Sequence, residues 1–178
     1  MKKIGIIGKG FVGSAVAHGF SGATGYQAKI RIFDKDPLKA THSLKELVNS
    51  SEIVFISVPT PSNKDGSINL DILSGCLDEI NHTASQLDNF NAVYLVRSTV
   101  VPGTTRFFQE KFPKLKLVFN PEFLTEHSAK FDFINQSRFI LGGADENTKI
   151  VSDLYRDRFG HSVSIIITDY ESAELTKY

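Results

Sequence analysis

The feature that most constrains this chain is a glycine-rich turn that follows an apolar run near its N-terminus. The apolar run extends from Ile4 to Ile7, and three glycines follow it at Gly8, Gly10 and Gly13. In a dinucleotide-binding βαβ unit the first glycine makes the turn and the second lets a pyrophosphate approach the backbone. The third lets the helix pack closely against the strand. By itself the pattern is a weak signal, because glycine turns are common.

A second apolar run strengthens the interpretation because it ends in an acid. This run begins at Lys29 and ends at Asp34, which stands about 20 residues after Gly13. A carboxylate at this place accepts hydrogen bonds from the adenosine ribose hydroxyls and repels the 2′-phosphate of NADP. The sequence therefore predicts an NAD-binding unit, with an ordinary βαβ unit that binds no cofactor as the alternative.

Strand and helix patterns alternate almost to the end of the chain. The later strands are predicted at residues 53–58, 92–96, 116–119, 138–143 and 164–168. Helices are indicated after the glycine turn, around 44–48, at 70–80, 104–112 and 146–159, and from 172 onward. This alternation predicts an α/β fold, a doubly wound Rossmann-type domain with a mostly parallel sheet. We expect the domain to span residues 1–168, and residues 169–178 to begin a linker helix with Asp169 as its N-cap.

Composition excludes several other classes of protein. A chain of 178 residues fits one domain, and its 20 Lys and Arg balance its 20 Asp and Glu, so charge predicts neither a nucleic-acid nor a membrane partner. The single Cys76 cannot form an intramolecular disulfide, which favours a reducing, cytoplasmic compartment. The five histidines are scattered without metal-ligand spacing, so no metal site is predicted.

Four polar residues follow predicted strands and are candidates for chemistry: Thr60, Thr99, Glu122 and Glu126. Glu122 and Glu126 are four residues apart and would share a face on a helical turn, where two carboxylates could divide base and orienting roles. The alternative is that Glu126 is a solvated surface charge and Glu122 a helix cap. Cys76 falls within a predicted helix, which favours a packed small side chain over a nucleophile.

Several short segments occur along the chain in a fixed order. They cover residues 8–13, 58–61 with 65–67, 98–105, 120–126, 138–142 and 172–178. This series resembles the UDP-glucose/GDP-mannose 6-dehydrogenases over nearly the whole chain, and Asn-Pro-Glu-Phe-Leu at 120–124 is its most specific part. The resemblance implies the N-terminal NAD-binding domain of a nucleotide-sugar dehydrogenase, which oxidises a C6 alcohol to a carboxylate with two NAD⁺.

The resemblance also implies which residues contact the cofactor. Gly8, Gly10 and Gly13 would hold the pyrophosphate, and Asp34 would bind the adenosine ribose. The full set of contacts that it implies is Gly8, Gly10, Phe11, Val12, Gly13, Asp34, Lys35, Thr60, Pro61, Ser98 and Thr99.

For catalysis the resemblance implies Thr99, Glu122, Glu126 and Lys177. Thr99 would hydrogen-bond the hydrolytic water and Glu122 would activate it, although the choice between Glu122 and Glu126 as main base stays open. Lys177 would stabilise developing oxyanion charge. The substrate would be a nucleotide sugar similar to UDP-glucose, and the residues implied to contact it are Glu122, Phe123, Leu124 and Glu126.

The sequence departs from the family pattern in four places. His127 replaces a frequent glycine, Arg97 replaces a frequent lysine, and the segment between Asp36 and Ile53 is short. The family's catalytic cysteine and its nucleotide-sugar-binding C-terminal domain would follow Lys177, and homodimers of full-length members would form through that region. We therefore expect these 178 residues to bind NAD without turnover. The alternative function is a stand-alone NAD-binding or interaction module.

Overall fold

One seven-stranded sheet forms the centre of the computed structural model, which describes residues 1–88 and 90–178. Its strands are β1 (Lys3–Ile7), β2 (Lys29–Phe33), β3 (Ile53–Ile56), β4 (Val93–Val96), β5 (Lys116–Phe119), β6 (Arg138–Gly143) and β7 (Ser164–Thr168). The spatial order is β2-β1-β3-β4-β5-β6-β7, and every pair is parallel except β5 with β6. The predicted α/β class and mostly parallel sheet are confirmed.

The helices cover both faces of this sheet. They are α1 (Phe11–Gly19), α2 (Leu44–Ser50), α3 (Asp71–Ser85), α4 (Thr104–Lys111), α5 (Ala129–Ile134), α6 (Asp145–Phe159) and α7 (Tyr170–Leu175). One core packs α2, α3, α4 and α7 against the sheet, and the other packs α1, α5 and α6 against its opposite face. In β3, Val54 and Ile56 face the first core while Ile53 and Phe55 face the second. This burial on both faces explains why β3 is a continuous apolar run.

The strand order reverses beside β1. The chain runs from β1 to β2 on one side and then crosses to β3 on the other side of β1. Loops leaving the carboxyl ends of β1 and β3 therefore diverge and leave a crevice between them, which is where open α/β sheets bind ligands.

Besides small shifts at the ends of elements, some features differ from the expectations. Helix α5 was not predicted, because it has only six residues and its exposed Phe131 and buried Phe133 alternate in a way that is not typical of a helix. The antiparallel direction of β6 and β7 relative to β1–β5 has no local sequence signal. The last helix begins at Tyr170 instead of residue 172, although Asp169 is its N-cap as predicted and accepts a hydrogen bond from the Ser172 N–H at 2.7 Å. The domain boundary at residue 168 stays a prediction.

Within residues 1–88 and 90–178, no helix is both long enough and apolar enough to cross a membrane.

Candidate functional site

The glycine turn forms the floor of the crevice, and its three glycines meet different surroundings. A Cβ on Gly8, whose φ is +88°, would lie 2.5 Å from the Ser57 carbonyl oxygen, and a Cβ on Gly13 would lie 2.0 Å from the Gly8 carbonyl oxygen. A Cβ on Gly10 would have no described atom within 4 Å. Gly8 and Gly13 therefore allow β1, β3 and α1 to pack, while Gly10 borders open space.

The first turn of α1 lies beside that open space. Gly10 is the N-cap of α1, Phe11 and Val12 begin the helix, and no side chain of the described residues caps it. The N–H groups at a helix N-terminus, together with the positive end of the helix dipole, favour an anion. The turn therefore fits a pyrophosphate that approaches the backbone at Gly10.

Asp34 stands at the end of β2, beside the same turn. Its two carboxylate oxygens accept hydrogen bonds from the backbone N–H of Lys9 at 2.6 Å and of Asp36 at 2.9 Å. Burial raises the pKa of the Asp34 carboxyl, but the hydrogen bonds from Asp36 and Lys9 lower it by more, so its net pKa shift is downward. Each oxygen keeps a further lone pair. An ionised Asp34 can therefore still accept hydrogen bonds from ribose hydroxyls.

A cavity of about 430 Å³ extends from the glycine turn and Asp34 towards α3. Its walls come from the end of β2 with Lys35, from the loop after β3, and from one face of α3 that includes Cys76. Burial raises the pKa of the Cys76 thiol to about 12, so this thiol is protonated at neutral pH. The cavity lies within the size range of small-molecule sites. Its position next to Asp34 fits the adenosine half of a dinucleotide.

The loops after β3 and β4 are joined by two side-chain hydrogen bonds. The Thr60 hydroxyl donates to the Thr99 carbonyl oxygen at 2.7 Å, and the Ser98 hydroxyl donates to the Val58 carbonyl oxygen at 2.6 Å. Both loops therefore form one bordering wall at the carboxyl edge of the sheet. Pro61 is exposed on this wall. The contacts of these residues with a cofactor stay predictions.

Glu122 and Lys177 form an ion pair that closes the loop after β5 against the end of the chain. Lys177 Nζ lies 2.8 Å from Glu122 Oε1 and 2.5 Å from the Glu122 carbonyl oxygen. The Glu122 side chain is only 9% exposed, and its Oε2 accepts the Leu124 N–H at 2.8 Å. Lys177 Nζ also lies 5.7 Å from the centre of the Phe123 ring. Two of the residues predicted to be catalytic are therefore in direct contact.

Glu126 does not share a helical face with Glu122, because the chain between them is a loop. Glu126 is exposed and borders a surface groove with Phe11 and His127. Phe123 and Leu124 line a different surface groove, of about 600 Å³, together with Arg138. The loop after β5 thus directs its two carboxylates to different surroundings.

Two buried groups near the site were not predicted as functional. Arg97 Nη1 donates to Asn120 Oδ1 at 2.5 Å, and the Tyr155 hydroxyl donates to the same oxygen. Arg97 Nε and Nη2 have no hydrogen-bond partner in the described part of the chain. Glu174 is fully buried and its carboxylate accepts the N–H groups of Gly103 and Thr105, at 2.6 and 2.7 Å.

Sequence signals for these groups were partial. Asn120 belongs to the most specific segment of the resemblance, which marked its position but not its role. Arg97 was recognised only as a replacement for lysine. Glu174 is an acid on a short helix, a pattern typical of a solvated surface, so no signal indicated its burial.

Comparisons with known proteins show which family this chain is similar to. The family model described as the UDP-glucose/GDP-mannose dehydrogenase family, NAD binding domain, matches residues 25–158. The UDP-glucose 6-dehydrogenase of Rhizobium meliloti is 34% identical over 151 residues, which cover 79% of this chain and 34% of the relative. The corresponding enzyme of Rickettsia bellii is 31% identical over 150 residues, which cover 82% of this chain and 34% of the relative.

Solved structures of two dehydrogenases are also similar. A UDP-glucose dehydrogenase from Pyrobaculum islandicum superposes with a TM-score of 0.82 at 25% identity, over 100% of this chain and 48% of the other. A GDP-mannose dehydrogenase from Pseudomonas aeruginosa gives a TM-score of 0.81 at 25% identity, over 98% and 48%. The chain thus spans about a third of these sequence relatives and about half of these solved chains.

Proposed function

Because the chain belongs to the UDP-glucose/GDP-mannose dehydrogenase family and carries its NAD-binding domain, we propose that it supplies the cofactor site of a nucleotide-sugar 6-dehydrogenase. The substrate class is a nucleotide sugar similar to UDP-glucose, whose C6 alcohol is oxidised to a carboxylate. Bound NAD⁺ supplies the hydride acceptor for this oxidation. The observation that carries the proposal is the crevice at the carboxyl edge of the sheet, bounded by the glycine turn and Asp34.

In this proposal the chain selects the dinucleotide by charge at two points. The N-terminus of α1 attracts the pyrophosphate, and the backbone at Gly10 leaves room for it to approach. The Asp34 carboxylate accepts the ribose hydroxyls and repels a 2′-phosphate. Lys35 lines the cavity next to Asp34 and contributes a cofactor contact there.

The catalytic part of the proposal rests on the loop after β5. Lys177 has three N–H donors, and two of them are used on Glu122, so one remains for developing oxyanion charge. Glu122 keeps unused lone pairs on its carboxylate and serves as the base for the hydrolytic water, which Thr99 orients. Glu126 contributes from the exposed side of the loop. Phe123 and Leu124 line the sugar position.

We propose further that these 178 residues by themselves bind NAD⁺ without oxidising a nucleotide sugar. The family chemistry requires a cysteine thiolate to hold the aldehyde, and the only cysteine here is Cys76, which is buried in α3.

Isothermal titration calorimetry with NAD⁺ and NADP⁺ tests the cofactor assignment. We expect NAD⁺ to bind more tightly, and Asp34→Asn to reduce the preference because the charge that opposes a 2′-phosphate is gone. Asp153→Asn on the exposed side of α6 is the matched control and should change neither affinity. Equal or tighter binding of NADP⁺ by the unaltered chain would contradict the assignment.

Formation of NADH with a panel of UDP- and GDP-sugars tests the statement about turnover. We expect no steady absorbance change above buffer. Sustained NADH formation would show that another residue replaces the cysteine thiolate.

A further inference from the structure

One wall of the cavity is a single face of α3. Ile72, Cys76 and Glu79 all line the cavity, and their spacing of four and then three residues puts them on the same side of the helix. Ile72 and Cys76 contribute apolar surface, and Glu79 is exposed to solvent. This wall therefore combines an apolar stripe with one carboxylate.

Apolar residues from two other elements also line the cavity, and together with the α3 face they form an apolar slot. These residues are Phe33 from the end of β2, and Val58 and Pro59 from the loop after β3. Asp34 and the glycine turn line the same cavity, and they are assigned to the ribose and the pyrophosphate. The apolar part of the cavity is therefore the place that remains for the base of the dinucleotide.

Two charged side chains that line the cavity, those of Glu79 and Lys35, act on Cys76. After burial, the largest influences on the pKa of the Cys76 thiol are the Glu79 carboxylate, which raises it, and the Lys35 ammonium, which lowers it. Both charged groups thus lie within electrostatic reach of the same point on α3. A second lysine at the rim, Lys39, is 3.6 Å from the Asp36 carboxylate and is engaged there. Of the α3 residues that line the cavity, Glu79 is the one that carries a carboxylate.

We propose that Glu79 determines which purine the site takes, by accepting a hydrogen bond from the 6-amino group of adenine. This inference rests on the proposed function, since it requires a dinucleotide in the crevice. An ionised carboxylate only accepts hydrogen bonds, so it matches an amino donor. A 6-oxo purine would instead turn a carbonyl oxygen towards Glu79, and two acceptors repel each other.

The apolar walls make this contact selective. When a ring fills the slot, it removes water from the side of Glu79 that faces the cavity. A hydrogen bond from the ring must then offset the lost hydration of the carboxylate. A site built to hydrogen-bond a substrate N–H rejects the analogue that lacks it more strongly than an apolar pocket does.

Calorimetric titration with NAD⁺ and with its 6-oxo analogue, nicotinamide hypoxanthine dinucleotide, tests the proposal. The unaltered chain should bind NAD⁺ at least about tenfold more tightly, as expected for a hydrogen bond to a charged group. Glu79→Gln should largely remove that preference, because an amide can donate to the 6-oxo oxygen. Glu110→Gln removes an exposed carboxylate on α4 that does not line the cavity, and it should retain the preference.

The titrations distinguish a failure of the Glu79 contact from a failure of the cofactor site. If NAD⁺ binds and Glu79→Gln keeps the full preference, or weakens both dinucleotides equally, Glu79 does not read the base. If neither dinucleotide binds to the unaltered chain, the cofactor site itself is refuted, and this inference fails with it. Circular dichroism of Glu79→Gln identifies a loss that comes from unfolding, and Glu79→Ala then repeats the comparison.

Discussion

Two alanine substitutions in the glycine turn should separate folding from cofactor binding. Gly13 and Gly10 are three residues apart on the same turn, yet their surroundings differ completely. Gly13→Ala should damage the fold, whereas Gly10→Ala should leave the fold intact and weaken NAD⁺ binding. The pair therefore tests whether Gly10 borders the cofactor, with each variant serving as the control for the other.

The magnitudes follow from the positions of the added methyl groups. At Gly13 the Cβ would meet the Gly8 carbonyl oxygen at 2.0 Å and the Ile6 side chain at 3.2 Å, so α1 must move away from β1. Overpacking of this kind costs about 1–3 kcal/mol, and we expect the upper end because the nearest atom belongs to the backbone. At Gly10 the backbone has φ −76° and ψ −161°, which alanine adopts without strain.

Gly10→Ala should weaken NAD⁺ binding and leave the stability of the fold nearly unchanged. With open space around its Cβ, Gly10→Ala should change the free energy of unfolding by no more than about 0.5 kcal/mol. The methyl group would hold the pyrophosphate away from the backbone and remove a hydrogen bond to a charged group. Losing such a bond costs about 1.5–3 kcal/mol, which lowers NAD⁺ affinity roughly ten- to hundredfold.

Urea titration measures the first quantity and calorimetry the second. A Gly10→Ala variant that binds NAD⁺ as tightly as the unaltered chain would refute the assignment of the pyrophosphate to this turn. A Gly13→Ala variant of unchanged stability would refute the close packing of α1 on β1.

Three further outcomes are expected. In Glu174→Gln one buried N–H group at the start of α4 would face an amide NH₂ instead of a carboxylate oxygen, so the free energy of unfolding measured in urea should fall by about 1–3 kcal/mol. Glu171→Gln, on the exposed side of α7, is the control and should lower the free energy of unfolding by less. Burial raises the pKa of Cys76 to about 12, so the unfolded chain ionises first, and stability measured in urea should fall from about pH 9 towards pH 12, less steeply in Cys76→Ala. Arg97→Met should keep or raise the free energy of unfolding, by up to about 4 kcal/mol, because two nitrogens of the buried guanidinium have no hydrogen-bond partner in the described chain. A loss of stability would show that the hydrogen bonds of Arg97 to Asn120 and Tyr155 outweigh the cost of burying its charge.

Local sequence patterns were sufficient for most of the fold. The bounds of β5, β6 and β7 agree with prediction because each is a short apolar run that ends at glycine or polar residues. The end of α3 was underestimated, since its last turn carries Asn81, His82 and Thr83 and has few apolar residues. The direction of β6 depends on tertiary packing, so periodicity alone could not indicate that it runs antiparallel to β5.

The sequence indicated individual residues of the candidate site, but not the contacts between them. Strand ends and the resemblance indicated Asp34, Glu122 and Lys177 individually. The contact between Glu122 and Lys177 joins residues 55 positions apart, and no local pattern encodes such a pairing. The spacing of four residues would place Glu122 and Glu126 on one helical face, but the chain between them is a loop that buries Glu122 and exposes Glu126.

The position of α7 explains how this contact is held. Glu174 fixes α7 to the N-terminus of α4, because its buried carboxylate accepts two N–H groups there. Lys177 follows less than one turn later, and its backbone N–H donates to the Glu174 carbonyl oxygen at 3.3 Å. The same anchored segment thus brings the Lys177 ammonium to Glu122. Helix α4 follows the loop that carries Thr99, so α7 connects the loops after β4 and β5. The segment that begins the linker thus holds the predicted catalytic Lys177 against Glu122, and weakening the contacts of Glu174 with α4 should disturb the ion pair of Lys177 with Glu122.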